Sequence, residues 1–529
     1  MMAKQAKSFD YVIIGSGVAG ALVAQRLLAK KPATSIAIVE AGKRVPLKDR
    51  RKWWDFVATG INPYDDFHDL PIENENESIG DEAWTFRESR LMGRGGSTVH
   101  WGGWALRFKE EDFETCSRTG RGADWPIGYN ELEPYYEIAE HTLGVSGLAE
   151  DSAGKIIPPR ASEYPIDAFP FAEADRPLIH AMERLDVAYA HMPVARFRKC
   201  MTTGTCRYCP FGARFAAAYV LDELECNPDY PNLAFFEQSP CERLIPHGRD
   251  KIASIEVTST QTGESSRIEG DRFIVASGAY ESPKLLQRST STKWPRGIGN
   301  DTDLVGRFLI SHPFLHVRAV LPSNANRWNQ ELDFPTLMSR HFDSPEQQAY
   351  GKLFLFKDRS RPKVDLADLM IRGKTRSEIN RVSMGPMELE LQGFMEEFSI
   401  FRNRVSIGNN TNRIGLPQTQ VDFSRESDFV NRAATRLDIM EKIVSETGAK
   451  IIQSGVRSQR GDHSACTCRM GTSPATSVVD PNLQVHGVEN LWVCSNAVFP
   501  SGAAVNPTLT LSALATRLAD HLLSLGGTP

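Results

Sequence analysis

The 529-residue chain has neither a long apolar run nor a strong net charge. No window reaches the roughly 18 uninterrupted apolar residues that a membrane-spanning helix needs, so we do not expect an integral membrane protein. The formal net charge is −5, from 61 Lys and Arg against 66 Asp and Glu, which favours neither a nucleic-acid surface nor a disordered tail. The expected partner is therefore a small molecule or another protein.

A disulfide framework is missing as well. The chain has nine cysteines, an odd number without framework spacing, which is typical of a protein that folds in a reducing compartment. The N-terminus MMAKQAKSFDYVIIGSG runs from a short basic segment straight into an apolar strand, leaving no room for a signal peptide. We therefore expect a cytoplasmic protein, or one that a partner subunit carries to the periplasm or to a membrane.

Residues 10–42 predict a nucleotide-binding unit. The strand DYVII is followed by GSGVAG, the helical pattern ALVAQRLLAK and a second strand in SIAIVEAG. Gly15 permits the tight turn, Gly17 lets the backbone approach a pyrophosphate, and Gly20 lets helix and strand pack closely. Glu40 ends the second strand, where a carboxylate can accept hydrogen bonds from ribose hydroxyls. FAD and NAD both use this arrangement, so the unit alone leaves the cofactor open.

Further motifs extend this pattern over the whole chain. They are RLMGRGGSTVHWGG (90–103), DWPIGYNELEPYYEIAE, GAYESPKLLQRS (278–289), DLVGRFLISHP and the C-terminal stretch from HSACTCRMG to LSALATR. With the N-terminal unit, they resemble the glucose-methanol-choline (GMC) oxidoreductases, which are FAD enzymes. Within that family, the chain is most similar to the large subunits of bacterial gluconate, fructose and FAD-dependent glucose or glucoside dehydrogenases, with pyranose oxidases more distant.

The resemblance implies an α/β fold with two parts. These are a discontinuous, Rossmann-like FAD-binding domain and an α+β substrate domain with an antiparallel sheet. We assign residues 1–110, 200–315 and 455–529 to the FAD-binding domain, and residues 111–199 and 316–454 to the substrate-binding domain and connecting segments. The middle segment, 316–454, holds no motif that we can interpret, which is consistent with a lobe that varies with the substrate.

Two C-terminal residues are the candidates for catalysis. Oxidation of an alcohol by a flavin requires removal of the hydroxyl proton while a hydride leaves the same carbon for flavin N5. By resemblance, His463 occupies the position of the family's base, and Asn506 that of a second residue that is His or Asn in relatives. We expect His463 to act as base and Asn506 to hold the substrate oxygen. The alternatives are a satisfied buried histidine and a turn-forming asparagine before Pro507.

The family motifs also indicate which residues contact the cofactor. Gly95 and Gly96 would give the flavin ring access to the backbone, and Ser282 would start a helix near the cofactor. In the pyranose oxidases a histidine placed like His100 carries the flavin covalently, whereas dehydrogenase relatives keep the His-Trp pair without the bond, so both states stay open. The residues predicted to bind FAD are Gly15, Gly17, Gly20, Glu40, Arg90, Gly95, Gly96, Thr98, His100, Trp101, Cys241, Ser282, Asn496, Asn506 and Thr508.

The segment KCMTTGTCRYCPFGARF places Cys200, Cys206 and Cys209 at the spacing C-x5-C-x2-C. Thiolates are soft ligands that bind iron tightly. In the fructose and glucose dehydrogenases that the chain resembles, a similar loop with one more cysteine and slightly different spacing holds a three-iron cluster. An iron–sulfur cluster is the interpretation we prefer, with zinc and free thiols as alternatives. We interpret Cys466 and Cys468 as structural.

Together these motifs predict FAD-dependent oxidation of a CH–OH group of a sugar, glycoside, sugar acid or polyol. The resemblance implies that electrons leave through the cluster to an external acceptor, with a small subunit and a cytochrome c as partners, and hence a dehydrogenase. The alternatives are a pyranose-type sugar oxidase that uses oxygen, and an FAD-containing lyase that performs no redox reaction.

Overall fold

The structure is a computed structural model of the chain. It describes residues 8–59, 63–64, 76–86, 89–197, 208–248, 250–322, 334–343, 350–359, 366–383, 387–457 and 460–526. The strands, numbered along the chain, are β1 (Ser8–Ile14), β2 (Ile36–Val39), β3 (Asn76–Ser78), β4 (Val145–Gly147), β5 (Ile166–Asp167), β6 (Ala190–His191), β7 (Val194–Ala195), β8 (Leu233–Phe236), β9 (Cys241–His247), β10 (Lys251–Thr258), β11 (Ser265–Val275), β12 (Phe314–Val320), β13 (Leu337–Ser339), β14 (Leu353–Arg359), β15 (Glu388–Met395), β16 (Arg404–Thr411), β17 (Pro417–Asp422), β18 (Lys450–Val456) and β19 (Leu491–Val493).

The α-helices lie mostly between these strands. They are α1 (Val18–Lys30), α2 (Arg50–Thr59), α3 (Thr115–Thr119), α4 (Tyr129–Leu143), α5 (Arg176–Arg184), α6 (Ala217–Cys226), α7 (Gly278–Arg288), α8 (Leu366–Ile371), α9 (Arg376–Ser383), α10 (Phe429–Glu446) and α11 (Thr508–Ser524). In the part of the chain that the structure describes, none of them is both long and apolar enough to cross a membrane.

The first large sheet has the order β8-β2-β1-β11-β10-β9, with β19 paired to β11. Strands β8, β2, β1, β11 and β19 run parallel to one another, whereas β10 pairs antiparallel with both β11 and β9. The apolar residues of β1 and β2 are buried almost throughout, as is usual for parallel strands that are covered on both faces. Helix α1 connects β1 to β2 and packs on α11, where Arg26 and Asp520 form an ion pair at 2.8 Å. This arrangement confirms the predicted strand-helix-strand unit.

The second large sheet has the order β18-β12-β15-β14-β13-β6, with antiparallel pairs throughout. Helices α5 and α10 pack together, and α10 lies against β12, β15 and β18, so apolar residues of helices and strands share one core. Two small sheets, β16-β17-β3 and β5-β4-β7, complete the fold. The predicted α/β class with an antiparallel second sheet is confirmed.

The two large sheets can be compared with the predicted domain boundaries. Every strand of the first sheet falls in the segments assigned to the FAD-binding domain. The boundaries at 315 and 455, however, fall inside β12 and β18, because strand pairing continues across them. In addition, α4 comes from a segment assigned to the other domain but packs on α11, where Tyr136 and Thr510 share a hydrogen bond of 2.7 Å. The division into domains stays a prediction at these points.

Candidate active site

A cavity of about 530 Å³ opens at the carboxyl ends of the parallel strands of the first sheet and reaches β12 and β15 of the second. Open α/β sheets commonly bind ligands at this edge. We call the part lined by residues 15–17, Glu40 and Arg288 the glycine end, and the part lined by His463 and Asn506 the histidine end.

At the glycine end, the backbone forms the wall. Gly15 has a φ of +109°, and a Cβ there would lie 2.5 Å from the carbonyl oxygen of Ala276, so the turn accepts only glycine. A Cβ at Gly17 would meet no atom of the described residues within 4 Å, which leaves open space at the N-terminus of α1. A helix N-terminus with free space in front of it is suited to a phosphate group.

Glu40 lines the same end, and its carboxylate is held by protein donors. Oε2 accepts hydrogen bonds from the backbone N–H and the hydroxyl of Ser16, at 3.1 and 2.6 Å, and Oε1 accepts one from the N–H of Gly42 at 2.9 Å. Since a carboxylate has about four acceptor positions, at least one remains for a ligand hydroxyl. The predicted role of Glu40 toward a ribose therefore fits its surroundings.

Charged side chains that sequence reasoning missed continue this wall. The Arg288 guanidinium donates to the carbonyl oxygens of Glu242 and Cys241 at 2.6 and 2.7 Å. Its buried NH1 forms an ion pair with Glu281 at 3.8 Å but makes no hydrogen bond to any described residue. Glu281 lies beside it; burial would raise the pKa of this carboxyl, but Lys284, Arg90 and Arg288 lower it to about 2. The pattern offered no signal for Arg288, because a basic residue at a helix C-terminus is ordinary.

The histidine end is built around His463. Its Nε2 lies 3.0 Å from Nδ2 of Asn506, and its Nδ1 lies 3.0 Å from Nδ1 of His312. His463 follows β18 in the chain, Asn506 precedes α11, and His312 precedes β12, so three separate segments bring these groups together. The predicted pair of His463 and Asn506 thus lies at hydrogen-bonding distance on the cavity wall.

Both imidazoles favour the neutral state. Burial, together with the neighbouring His312 and Arg460, lowers the pKa of His463 well below its ordinary value. Burial also lowers the pKa of His312 to about 4, although the carbonyl oxygens of Gly502 and Ala503 oppose the shift. At neutral pH the site therefore holds an uncharged histidine that can accept a proton.

Aromatic rings surround His463. The centroid of its ring lies 4.9 Å from that of Phe394 and 5.9 Å from that of Phe314, and Trp104 lies within 5.9 Å of Phe394. The indole N–H of Trp104 and Oδ1 of Asn506 are buried, line the cavity and make no hydrogen bond to described residues. Apolar faces beside unused polar atoms suit an organic ligand that has both C–H and O–H groups.

Most of the residues predicted to bind the cofactor line this one cavity. They are Gly15, Gly17, Glu40, Arg90, Gly96, Thr98, His100, Trp101, Cys241, Asn496, Asn506 and Thr508. The other three, Gly20, Gly95 and Ser282, do not line the cavity but pack against residues next to it. A Cβ at Gly20 would lie 2.2 Å from the Gly15 carbonyl oxygen, a Cβ at Gly95 would lie 2.7 Å from Ala218, and Ser282 shares a hydrogen bond of 3.2 Å with Ser495.

Two side chains in this set already donate hydrogen bonds to backbone carbonyl groups of the protein. The Thr98 hydroxyl donates to the Gly95 carbonyl at 2.6 Å, and the Trp101 indole donates to the Phe215 carbonyl at 2.8 Å. Burial raises the pKa of the Cys241 thiol to about 12, so Cys241 presents a neutral side chain. His100 lies at the cavity wall with its ring 6.1 Å from Tyr64. Whether His100 carries a covalent flavin stays a prediction to be tested.

The predicted metal site falls largely outside the described residues. Cys200 and Cys206 lie there, whereas Cys209 is described and its sulfur accepts a hydrogen bond from the N–H of Ala213 at 3.3 Å. Among the residues that the structure does describe, no group of three His, Cys, Asp or Glu side chains could hold a metal ion. The cluster stays a prediction. Cys466 and Cys468 are fully buried, and burial raises the pKa of both thiols, which fits a structural role.

Several groups at this cavity have polar atoms that a ligand of the size of FAD could satisfy. The glycine end provides an open helix N-terminus and the NH1 group of Arg288, and Oδ1 of Asn496 is a further buried polar atom; neither NH1 nor Oδ1 makes a hydrogen bond to a described residue. Phosphates, ribose hydroxyls and ring nitrogens would satisfy such groups. The residues present therefore fit a flavin dinucleotide.

Comparison with known proteins identifies a family of oxidoreductases and the same fold. Profiles of the family described as GMC oxidoreductase match residues 9–314 and 401–515. The chain is 25% identical to the fructose dehydrogenase large subunit of Gluconobacter japonicus, covering 99% of both chains. It is 27% identical to paromamine 6'-oxidase of Streptomyces fradiae, covering 97% of this chain and 90% of the relative. A structure of Aspergillus oryzae formate oxidase that concerns FAD modification has the same fold, with a TM-score of 0.68 and 15% identity over 99% of each chain.

Proposed function

Because the chain belongs to the GMC oxidoreductase family, we propose that it is an FAD-dependent dehydrogenase. Its substrate is a sugar, glycoside, sugar acid or polyol, of which one CH–OH group is oxidised to the carbonyl. The observation that carries the proposal is the neutral His463 beside Asn506 on the cavity wall. The names of relatives that act on fructose and on the sugar derivative paromamine support the substrate class.

The residues of the chain divide the work between the two ends of the cavity. The glycine end would hold FAD through the N-terminus of α1, Glu40 and Arg288, and bound FAD supplies the acceptor for the hydride. At the histidine end, Nε2 of His463 takes the hydroxyl proton while the Asn506 amide holds the same oxygen. The rings of Phe314 and Phe394 keep water away from that step.

A panel of sugars and polyols tests the proposal directly. Each compound is mixed with the FAD-loaded protein without oxygen, and flavin absorbance is followed. We expect at least one sugar or polyol to bleach the flavin. Failure of the whole panel, with cyanohydrin cleavage at an unchanged flavin spectrum, would instead identify the lyase alternative.

A sugar oxidase is the second candidate, because the similar proteins include an oxidase of a sugar derivative. The two activities differ only in what reoxidises the flavin. Turnover in air with one peroxide formed per substrate consumed would identify an oxidase. Turnover that needs an added dye or a cytochrome, with little peroxide, would identify a dehydrogenase.

We also propose that Cys200, Cys206 and Cys209 hold an iron–sulfur cluster that passes electrons to a partner. The spacing of these cysteines and the description of one similar protein as a large subunit support this proposal. A small subunit and a cytochrome c are the expected partners, and the small subunit would direct the complex to the periplasm or membrane. Iron and sulfide are measured in protein purified without oxygen. Less than about one iron per chain in both the wild type and C209S contradicts the cluster.

A further inference from the structure

We propose that His312 is a positioning residue that fixes the tautomer of His463. In this arrangement, Nδ1 of His463 carries the proton and Nε2 keeps its lone pair toward the cavity. The inference rests on the proposed role of His463 as base and explains how that role is secured. It follows from three contacts: His312 with two backbone carbonyl oxygens, His312 with His463, and His463 with Asn506. Each contact determines which nitrogen donates a hydrogen bond and which accepts one.

The first contact fixes His312. Its Nε2 lies 3.1 Å from the carbonyl oxygen of Gly502 and 3.1 Å from that of Ala503. A carbonyl oxygen only accepts hydrogen bonds, so this nitrogen must carry a hydrogen. Since His312 is 2% exposed and has a lowered pKa, its ring is neutral and has a single N–H. Nδ1 of His312 is therefore an acceptor.

The second contact determines which nitrogen of His463 carries the hydrogen. The two Nδ1 atoms lie 3.0 Å apart, which is a hydrogen-bonding distance. Because His312 can only accept there, Nδ1 of His463 must donate. A neutral His463 then has no hydrogen left on Nε2.

The third contact agrees with this result. Nε2 of His463 lies 3.0 Å from the amide nitrogen of Asn506, which is a donor. Rotating the amide of Asn506 by half a turn would place an acceptor there, but it would not remove the clash of two lone pairs between the histidines. The His312 contact, and not Asn506, therefore decides the tautomer.

A neutral orienting group differs from a carboxylate in its electrostatic effect. A carboxylate beside His463 would raise the pKa of that ring, whereas His312 lowers it. The other charged groups near the pair are Arg460, which also lowers the pKa of His463, Asp462, which adjoins His463 on the cavity wall, and Asp112, which acts on His312. His312 thus supplies orientation without making the base a cation before substrate arrives.

Two amide substitutions of His312 distinguish a role in orienting His463 from a role in holding the carbonyl oxygens of Gly502 and Ala503. In H312N the side-chain oxygen can take the place of Nδ1 as acceptor, whereas in H312Q the side-chain amide nitrogen can take the place of Nε2 as donor to Gly502 and Ala503. We expect H312N to keep flavin reduction by substrate within a few fold of the wild type. We expect H312Q and H312L to lose about 10- to 100-fold in that rate, with normal FAD content. H316L, on β12 and also buried, is the matched control and should behave as the wild type.

The opposite order overturns the inference. If H312Q retains the rate and H312N does not, His312 serves to hold the carbonyl oxygens of Gly502 and Ala503 and does not set the tautomer.

A second measurement needs no substrate and no activity. Nitrogen-15 NMR of protein labelled in its histidine rings, with H463N to assign the signal, reports which nitrogen carries the hydrogen. We expect an unprotonated Nε2 of His463 in the wild type and in H312N, and a protonated or mixed Nε2 in H312Q. A protonated Nε2 in the wild type refutes the inference even if the sugar panel succeeds. The expected NMR result stands even if the panel fails.

Discussion

The glycine end and the histidine end of the cavity are assembled in different ways. The glycine end is lined by the backbone of the turn 15–17, by Glu40, which directly follows β2, and by Arg288. The wall of the histidine end consists of side chains from distant segments. His463 lies 43 residues from Asn506 and 151 residues from His312. Apart from Arg288, the glycine end is thus set by a short stretch of sequence, whereas the histidine end depends on how distant segments fold together.

The two ends are therefore expected to respond to different kinds of substitution. Backbone groups cannot be removed by substitution, so the turn 15–17 is disturbed mainly when a new side chain fills its space, whereas loss of the Arg288 side chain should only weaken FAD binding. The histidine end depends on particular polar atoms and fails when one of them is removed.

The largest effect is expected from H463A. Loss of the base should slow flavin reduction by substrate about 10²- to 10⁴-fold, the usual contribution of general base catalysis. FAD should remain bound, because the glycine end is unchanged. Stopped-flow absorbance gives the rate, and the absorbance of the purified protein gives the FAD content. Near-normal flavin reduction would remove His463 from its proposed role.

The next effect is expected from adding a methyl group at the glycine end. In G20A the new Cβ would press on the Gly15 carbonyl oxygen at 2.2 Å, so we expect a loss of about 1–3 kcal/mol in the free energy of unfolding. In G17A the Cβ would point into open space, so the protein without FAD should keep its stability and lose mainly FAD affinity. Thermal unfolding and flavin fluorescence measure the two quantities. Equal loss of stability in both variants would contradict the distinction.

A smaller effect is expected from R288L, which removes the guanidinium N–H at the glycine end that makes no hydrogen bond to a described residue. FAD affinity should fall by about 5- to 10-fold, the size of one ordinary hydrogen bond. The rate of flavin reduction at saturating FAD should stay unchanged, and R288K should recover part of the affinity. Titration with FAD measures this. A slower rate of flavin reduction at full FAD occupancy would instead show that Arg288 contributes to the reaction at the histidine end.

The smallest effect is expected from pH. Protonation of His463 abolishes its function as base, and the pKa of this ring is lowered well below 6.5. A group with a lowered pKa stays neutral until the pH falls below that value, so the reduction rate should change little between pH 8 and pH 6.5. Its decline should begin only at lower pH. A decline centred near pH 6.5 or above would show that His463 is not shielded as the structure indicates.

The same division explains what could be predicted from the sequence. The strand, glycine turn, helix and Glu40 follow one another within about 30 residues, so their pattern alone predicts their geometry. His463 and Asn506 could be named only through resemblance to a family. His312 was missed, although DLVGRFLISHP was among the motifs, because its role depends on a contact with a residue far along the chain. The second sheet was expected from the family, but its strands could not be placed, because residues 316–454 carry no interpretable motif.

The position of β11 has a consequence for the order of folding during synthesis. This strand lies between β1, from the first residues of the chain, and β19, close to its end, and α11 packs on α1. The nucleotide-binding half therefore cannot close until residues 491–524 have left the ribosome. The second sheet needs only residues up to 456, so it can form earlier. Insertion of FAD would then come last, as the step that completes a late-closing half.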